Sequence, residues 1–203
     1  MKTFRVWLVR HAPVSANFLY GQMDVLADHS DQKTYDWISS QLPNSFALVS
    51  SDLTRCVETA NHIIAHSNQS IQLTKETQYR EQNFGEWQGL TYEEIRTDRH
   101  EESLSFWENP VENQPPGGES FRDVCERVTR RFQSQLESLV QDDLVIVSHA
   151  GPIRAIVANA LELEPVKAQL IDIEPLSVSR LTVYQADETI SWKIDWINRV
   201  RAR

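Results

Sequence analysis

The chain has 203 residues, of which 40% are hydrophobic and 24% charged, the proportions of one globular domain with a sizeable core. Its net charge of −9 and sequence pI of about 5.1 exclude the basic face of a nucleic-acid-binding protein, and any anionic ligand must be met by cations gathered locally. No apolar run approaches the ~18 residues of a membrane span, and the N-terminus lacks the long apolar stretch of a secretion signal. With only Cys56 and Cys125, outside any CxxC pair, neither a disulfide framework nor a zinc site is expected, and a cytoplasmic enzyme is the default reading.

The first element is Val6–Val9, an unbroken apolar run of the kind that a parallel sheet buries on both faces. It stops abruptly at Arg10-His11. Ala12–Asp36 reads as a loop followed by a helix from about Asp31 that Leu42-Pro43-Asn44 terminates. Phe46–Ser50 is a second buried strand. Ser51 or Asp52 is expected to cap the next helix, whose apolar stripe is Leu53, Cys56, Val57, Ala60, Ile63 and Ile64. Arg55 falls off that stripe, which leaves open a surface arginine or one that reaches the crevice near Arg10. Ile71–Leu73 is a short third strand. The irregular Tyr79–Leu90 (YREQNFGEWQGL) concentrates charge, aromatics and two glycines, a composition typical of functional segments on a rigid scaffold.

Thr91–Asn109 is expected to be helical, anchored by Tyr92, Ile95, Leu104, Phe106 and Trp107, and a Pro/Gly-rich loop follows it. Residues 90–119 together read as a cap over the site within a single domain spanning 1–203. A long amphipathic helix runs from Glu119 to about Gln141, with Phe121, Val124, Cys125, Val128, Phe132, Leu136 and Leu139 on its apolar face. Leu144–Val147 is a fourth buried strand, ending in Ser148-His149-Ala150-Gly151. Pro152 suits the first turn of the helix after it. Val178–Tyr184 and Thr189–Trp196 are two last strands joined by a QADE turn. This alternation predicts an α/β fold, a doubly wound and mostly parallel sheet flanked by helices with a small helical cap.

Two strand ends deliver a histidine, His11 and His149, to the edge where open α/β sheets bind ligands. One such histidine is unremarkable; two with Arg10 and Arg55 point to phosphate, because the guanidinium fork matches phosphate oxygens. The helix N-terminus after Gly151 adds N–H donors. A histidine kept neutral by neighbouring arginines is a competent nucleophile, and the arginines with His149 are placed to stabilise a transferring phosphoryl group. Glu81 is the first candidate to protonate the leaving group and Glu86 the second. No metal or other cofactor is called for.

The segments LVRHAPV, SSDLTRCVETA, REQNFGEWQG, PPGGES and VSHAGPIRAI resemble, in order, the motifs of the histidine phosphatase (phosphoglycerate mutase-like) superfamily, covering about residues 6 to 158. The resemblance implies that His11 is phosphorylated, that Arg10 and Arg55 hold the phosphate, that His149 is the second histidine and that Glu81 is the proton donor. It also places Asn17 where many members put a phosphate-contacting asparagine. Ala12 and Val14 depart from the usual glycine and hydroxyl residue, which removes one phosphate contact. Within the superfamily, RHAPV…YGQMDV and FWENPVENQPPGGES resemble α-ribazole-5′-phosphate phosphatases of cobalamin nucleotide-loop assembly. The short cap is unlike that of a phosphoglycerate mutase.

The rival readings are a broad-specificity histidine phosphatase, a mutase-like isomerase, and a phosphate-binding signalling module with weak catalysis. Cys125 and Arg131 have the spacing of a cysteine-phosphatase loop but lie in a glycine-free helix, so a core cysteine is expected. Ser148-His149 has no nucleophile elbow. His29, His62, His66 and His100 are expected at the surface, and the six tryptophans are expected in the core and cap rather than in a cofactor box, with Trp87 and Trp107 open as walls of a pocket for a flat base. The expected partner is a small phosphorylated metabolite, with no nucleic acid or membrane, acting on a monomer or homodimer.

Overall fold

A computed structural model describes residues 2–67, 70–186 and 189–202. Six strands form one sheet in the order β3-β2-β4-β1-β5-β6: β1 (Lys2–Arg10), β2 (Ala47–Ser51), β3 (Leu73–Glu76), β4 (Asp143–Ser148), β5 (Val178–Ala186) and β6 (Thr189–Arg199). The first four in that order are parallel, while β5 runs antiparallel to β1 and β6 antiparallel to β5. Seven α-helices and two single 3-10 turns complete the described chain: α1 (Gln32–Gln41), α2 (Thr54–Ala65), α3 (Tyr92–Asp98), α4 (His100–Glu108), α5 (Phe121–Glu137), α6 (Ala150–Ala160) and α7 (Pro165–Ala168). None of them is long and apolar enough to cross a membrane.

The period of two in β1 explains the layering. Phe4, Val6 and Leu8 join the cluster formed with Val124, Val128 and Phe132 of α5 and Ile153 and Ile156 of α6. Trp7 and Val9 face the other way, toward Tyr35 and Ile38 of α1 and Cys56, Ala60 and Ile63 of α2. The sheet is thus covered on both sides, and each fully buried Val, Leu or Ile contributes about 1.5–3 kcal/mol. A third, smaller cluster joins Trp87, Ile95 and Phe106 beside Leu19, Phe84 and Leu90, beneath α3 and α4.

Several sequence expectations are corrected in detail. The third strand lies two residues later than IQL, because β3 is a polar edge strand defined by pairing with β2 rather than by an apolar pattern. Thr91–Asn109 is two helices broken at Arg99, and its anchors divide: Ile95 and Phe106 are buried, whereas Tyr92, Leu104 and Trp107 are exposed. The long helix is shorter at both ends, starting after a capping box in which Ser120 and Asp123 each hold the other's backbone N–H. Neither Ser51 nor Asp52 caps α2. Leu53 occupies the cap position, and Asp24 accepts from the backbone N–H of Thr54 at 2.7 Å and from its hydroxyl at 2.6 Å. Asp52 instead pairs with Arg80. The short α7 was not anticipated, and the QADE turn ends on two residues outside those described. Gly85, at φ +53°, brings its loop so close to residues 116–118 that a Cβ would meet the Pro116 carbonyl. This contact fastens the NFGE segment to PPGG.

Strand register positions the site. Arg10 lies opposite Ser148, and Ser50 opposite Val147, so the chain ends of β1, β4 and β2 open side by side on one edge of the sheet.

Candidate active site

His11 is the first residue beyond β1 and is fully buried; its backbone N–H donates to the Ser148 carbonyl at 2.9 Å. Its Nδ1 lies 2.7 Å from the carbonyl of Ala12. A carbonyl only accepts, so Nδ1 carries the proton and Nε2 keeps a free lone pair. Burial, then Arg55 and Arg10, hold the imidazole neutral, lowering its pKa to about 3 against the opposing pull of the Ala12 carbonyl. Ala12 itself is buried in the apolar cluster and donates its N–H to the Thr59 hydroxyl at 3.0 Å, so the departure from glycine is accommodated by packing.

Arg55 is fully buried, not a surface residue. It lies in the first turn of α2, where its guanidinium donates to the carbonyls of Gly21 (2.6 Å) and Met23 (2.8 Å) and to Nδ1 of His149 (3.2 Å), with the Tyr20 ring 5.0 Å away. Those partners stabilise the cation without neutralising it. Burial pushes its pKa down, as expected of a cation without a carboxylate partner. Because Arg55 donates to Nδ1, the proton of His149 sits on Nε2, which donates to Ser51 Oγ at 2.9 Å and faces Cys56 Sγ at 3.3 Å. Burial, followed by His11 and the arginines, holds His149 neutral as well. The two imidazoles meet edge to face, 5.1 Å between centroids.

Arg10 donates one N–H to the Ile173 carbonyl at 2.6 Å, and its buried Nε has no partner among the described residues. Two guanidinium groups with no ion-paired carboxylate among the described residues, one with an orphaned donor, thus surround a neutral imidazole. In a chain of net charge −9 this is a local hole for an anion, and a phosphate would satisfy the donors that the fold leaves open.

Glu81 reaches the same point from the segment after β3. Its carboxylate accepts from the Gly151 N–H at 3.1 Å, at the start of α6. Glu86 is excluded from this role: it is exposed and paired with Arg99 at 2.8 Å. Asn17 is exposed between Ala16 and Phe18, and no hydrogen bond among the described residues ties it to the other site groups.

A cavity of about 850 Å³ is lined by Leu19, Tyr20, Phe84, Trp87, Tyr92, Ile95, Phe106 and Trp107 together with Glu81, Gly151 and Arg154. Trp87 and Trp107 both border it, Trp87 from within the buried cluster beside α3 and α4 and Trp107 from an exposed position. Arg154 was missed. It donates Nε to the Ile171 carbonyl at 2.7 Å, and burial lowers its pKa, as for Arg55. The signal was available, since Arg154 is the sole charged residue in the largely apolar α6, five residues past His149. The remaining histidines divide. His100 is exposed, whereas His29, His62 and His66 are half-buried around Tyr35, with His29 and His62 stacked at 4.7 Å. Cys125 packs against the core and Arg131 pairs with Glu76, so no second phosphate loop exists there.

The model of the histidine phosphatase superfamily (branch 1) matches residues 6–195. A 2,3-bisphosphoglycerate-dependent phosphoglycerate mutase of Gloeobacter violaceus is 31% identical over 144 residues, 70% of this chain and 65% of that protein, so the chain spans less than two thirds of this relative. Among solved structures, a mycobacterial glucosyl-3-phosphoglycerate phosphatase superposes with TM-score 0.81 at 26% identity, covering 98% of this chain and 100% of the other. The α-ribazole phosphatase of Shigella flexneri superposes with TM-score 0.83 over 98% and 100% of the two chains; at 19% identity the likeness is one of fold.

Proposed function

The chain belongs to the histidine phosphatase superfamily, and we propose that it hydrolyses a phosphomonoester with a bulky, flat leaving group, α-ribazole 5′-phosphate before others, through a phosphohistidine at His11. The observation that carries this reading is the juxtaposition of two surfaces: Arg10 and Arg55 around the free Nε2 of His11, and an aromatic cavity of about 850 Å³ whose wall includes Glu81 and Gly151.

The phosphate enters the hole and takes the open donors of Arg10 and Arg55. Nε2 attacks phosphorus, a P–N bond forms, and the P–O ester bond breaks. Glu81 delivers a proton to the departing alkoxide. Charge that develops on the equatorial oxygens meets the guanidinium groups, which are already in place, Arg55 being oriented by His149. Water, deprotonated by the Glu81 carboxylate, then attacks the phosphohistidine and releases inorganic phosphate and the neutral imidazole. Residues 90–119 act as the cap, with Tyr92 and Trp107 facing the leaving group.

A phosphoglycerate mutase must hold a small, doubly anionic glycerate ester, which an aromatic wall does not favour; Arg154 is the cation that would meet a second anion if one were bound. The test is a panel of phosphomonoesters ranked by kcat/KM in the presence of EDTA, with α-ribazole 5′-phosphate, p-nitrophenyl phosphate, glucosyl-3-phosphoglycerate and the two phosphoglycerates. Preference for α-ribazole 5′-phosphate supports the reading. Interconversion of 2- and 3-phosphoglycerate supports the mutase, and phosphate binding without turnover the signalling module. His11→Asn must also abolish trapped phosphoenzyme.

A further inference from the structure

The PPGGES segment takes no part in the chemistry above, yet its glutamate is the hub of a polar network that joins three other segments. Glu119 forms a two-point ion pair with Arg127, each contact 2.9 Å. The same carboxylate accepts from the Asn83 N–H at 2.8 Å and from the Gln22 side chain at 3.3 Å, while the Glu119 carbonyl accepts from Gln82 at 2.7 Å. Arg127 spends its other donors on the carbonyls of Gln78 (2.7 Å), Arg80 (3.0 Å) and Glu81 (3.4 Å). Gln22 donates its second amide hydrogen to the Glu81 carbonyl at 2.9 Å.

Gln22 sits between the two residues whose carbonyls hold Arg55, Gly21 and Met23. One side chain therefore links the backbone of the proton donor to the loop that clamps the phosphate-binding arginine. We infer that Gln22, Glu119 and Arg127 are positioning residues that fix Glu81 relative to Arg55, so that the proton arrives at the leaving oxygen when the phosphoryl group is seated. This inference rests on the reading of Glu81 as the acid. A donor displaced by about 1 Å loses on the order of 100-fold in rate. The network is what prevents that displacement in a segment with no regular structure beyond two single 3-10 turns, at 77–79 and 85–87.

Two esters of similar size separate positioning from mere folding. p-Nitrophenolate leaves without a proton, whereas the alkoxide of benzyl phosphate needs one. kcat/KM reports only the steps to the phosphoenzyme, so the water-activating step does not enter. For Glu81→Gln, the ratio of kcat/KM on benzyl to p-nitrophenyl phosphate is expected to fall by about 10²–10⁴-fold. For Gln22→Leu and Arg127→Met it is expected to fall by roughly 10- to 100-fold, with p-nitrophenyl phosphate turnover kept within a few-fold of the parent. Gln22 is a loop residue, so its variant is informative even if Arg127→Met fails to fold. An equal loss on both esters in the Gln22 and Arg127 variants, with a selective loss in Glu81→Gln, overturns the positioning role and leaves the acid in place. An equal loss in Glu81→Gln overturns the acid assignment, and the positioning role with it.

Discussion

The backbone N–H of Gly151 donates to Oε1 of Glu81 at 3.1 Å, and a Cβ built on Gly151 would collide with that same oxygen. The glycine is therefore read by the carboxylate rather than by its own backbone, which is ordinary helix. Gly151→Ala should split stability from activity. Alanine gains up to about 1 kcal/mol of helix propensity, and the displaced atom is the end of a flexible side chain. Displacing it misplaces the proposed proton donor. We expect a melting temperature equal to or above that of the parent, with kcat/KM on benzyl phosphate down by roughly 10- to 100-fold. Full activity in the alanine variant would show that Glu81 does not act from this position.

The pair His11 and His149 predicts a pH dependence of stability. Both are buried neutral, and His11 has its pKa lowered from the ordinary 6.5 to about 3. Between those values the unfolded chain binds protons that the folded chain refuses, so stability rises with pH across the window and is lost as pH falls through it. Urea melts between pH 4 and 7 should show this slope, and His11→Asn should reduce it by close to one proton. An unchanged slope in that variant contradicts a neutral buried His11. The same shift means that the acid limb of kcat/KM falls below 6.5 and follows the second phosphate ionisation of the substrate, near 6 for alkyl phosphates.

What the sequence disclosed and what it concealed follow from how each residue is held. Arg10, His11 and His149 are legible because apolar strands end in them, and register then places them together. Glu81 is legible as a charged residue in an irregular, glycine-bearing segment. The burial of Arg55 is hidden, because a helical stripe describes packing against the sheet. The groups that enclose its guanidinium are carbonyls of Gly21 and Met23, some thirty residues earlier in a loop without pattern. Arg154 is concealed for the opposite reason, as one charged residue in a largely apolar helix reads as an exception rather than as a cavity wall. The break at Arg99 separates two helices whose combined apolar pattern mimics one. The hub at Glu119 is invisible to spacing, since its partners come from residues 22, 83 and 127.

Trp107 tests the substrate reading. It lines the cavity and is 58% exposed, touching Phe106 edge to face at 5.1 Å between centroids. Its removal should cost little stability, because little of it is buried. If a flat base packs there, Trp107→Ala loses about 0.5–1.5 kcal/mol of aromatic contact. KM for α-ribazole 5′-phosphate then rises by roughly 2- to 10-fold, with kcat and the KM for a small alkyl phosphate unchanged. Equal changes for both substrates would remove Trp107 from the leaving-group site.

Arg10 and Arg55 make a last contrast, because both face the anion hole and only one also holds the fold. Arg55 joins two loop carbonyls to His149 from full burial, whereas Arg10 gives one hydrogen bond to Ile173 and keeps a donor unused. Lysine preserves the charge at either position but not the fork. Each charge-assisted hydrogen bond lost to phosphate is worth roughly 1.5–3 kcal/mol, so both Arg10→Lys and Arg55→Lys should bind inorganic phosphate about 10- to 100-fold more weakly by calorimetry. Their stabilities should diverge. Arg55→Lys leaves buried carbonyls unpaired at about 1–3 kcal/mol each, which lowers the melting temperature by several degrees, while Arg10→Lys melts close to the parent. Parent-like phosphate affinity in Arg55→Lys would make that residue a strut of the loop and leave Arg10 to hold the anion.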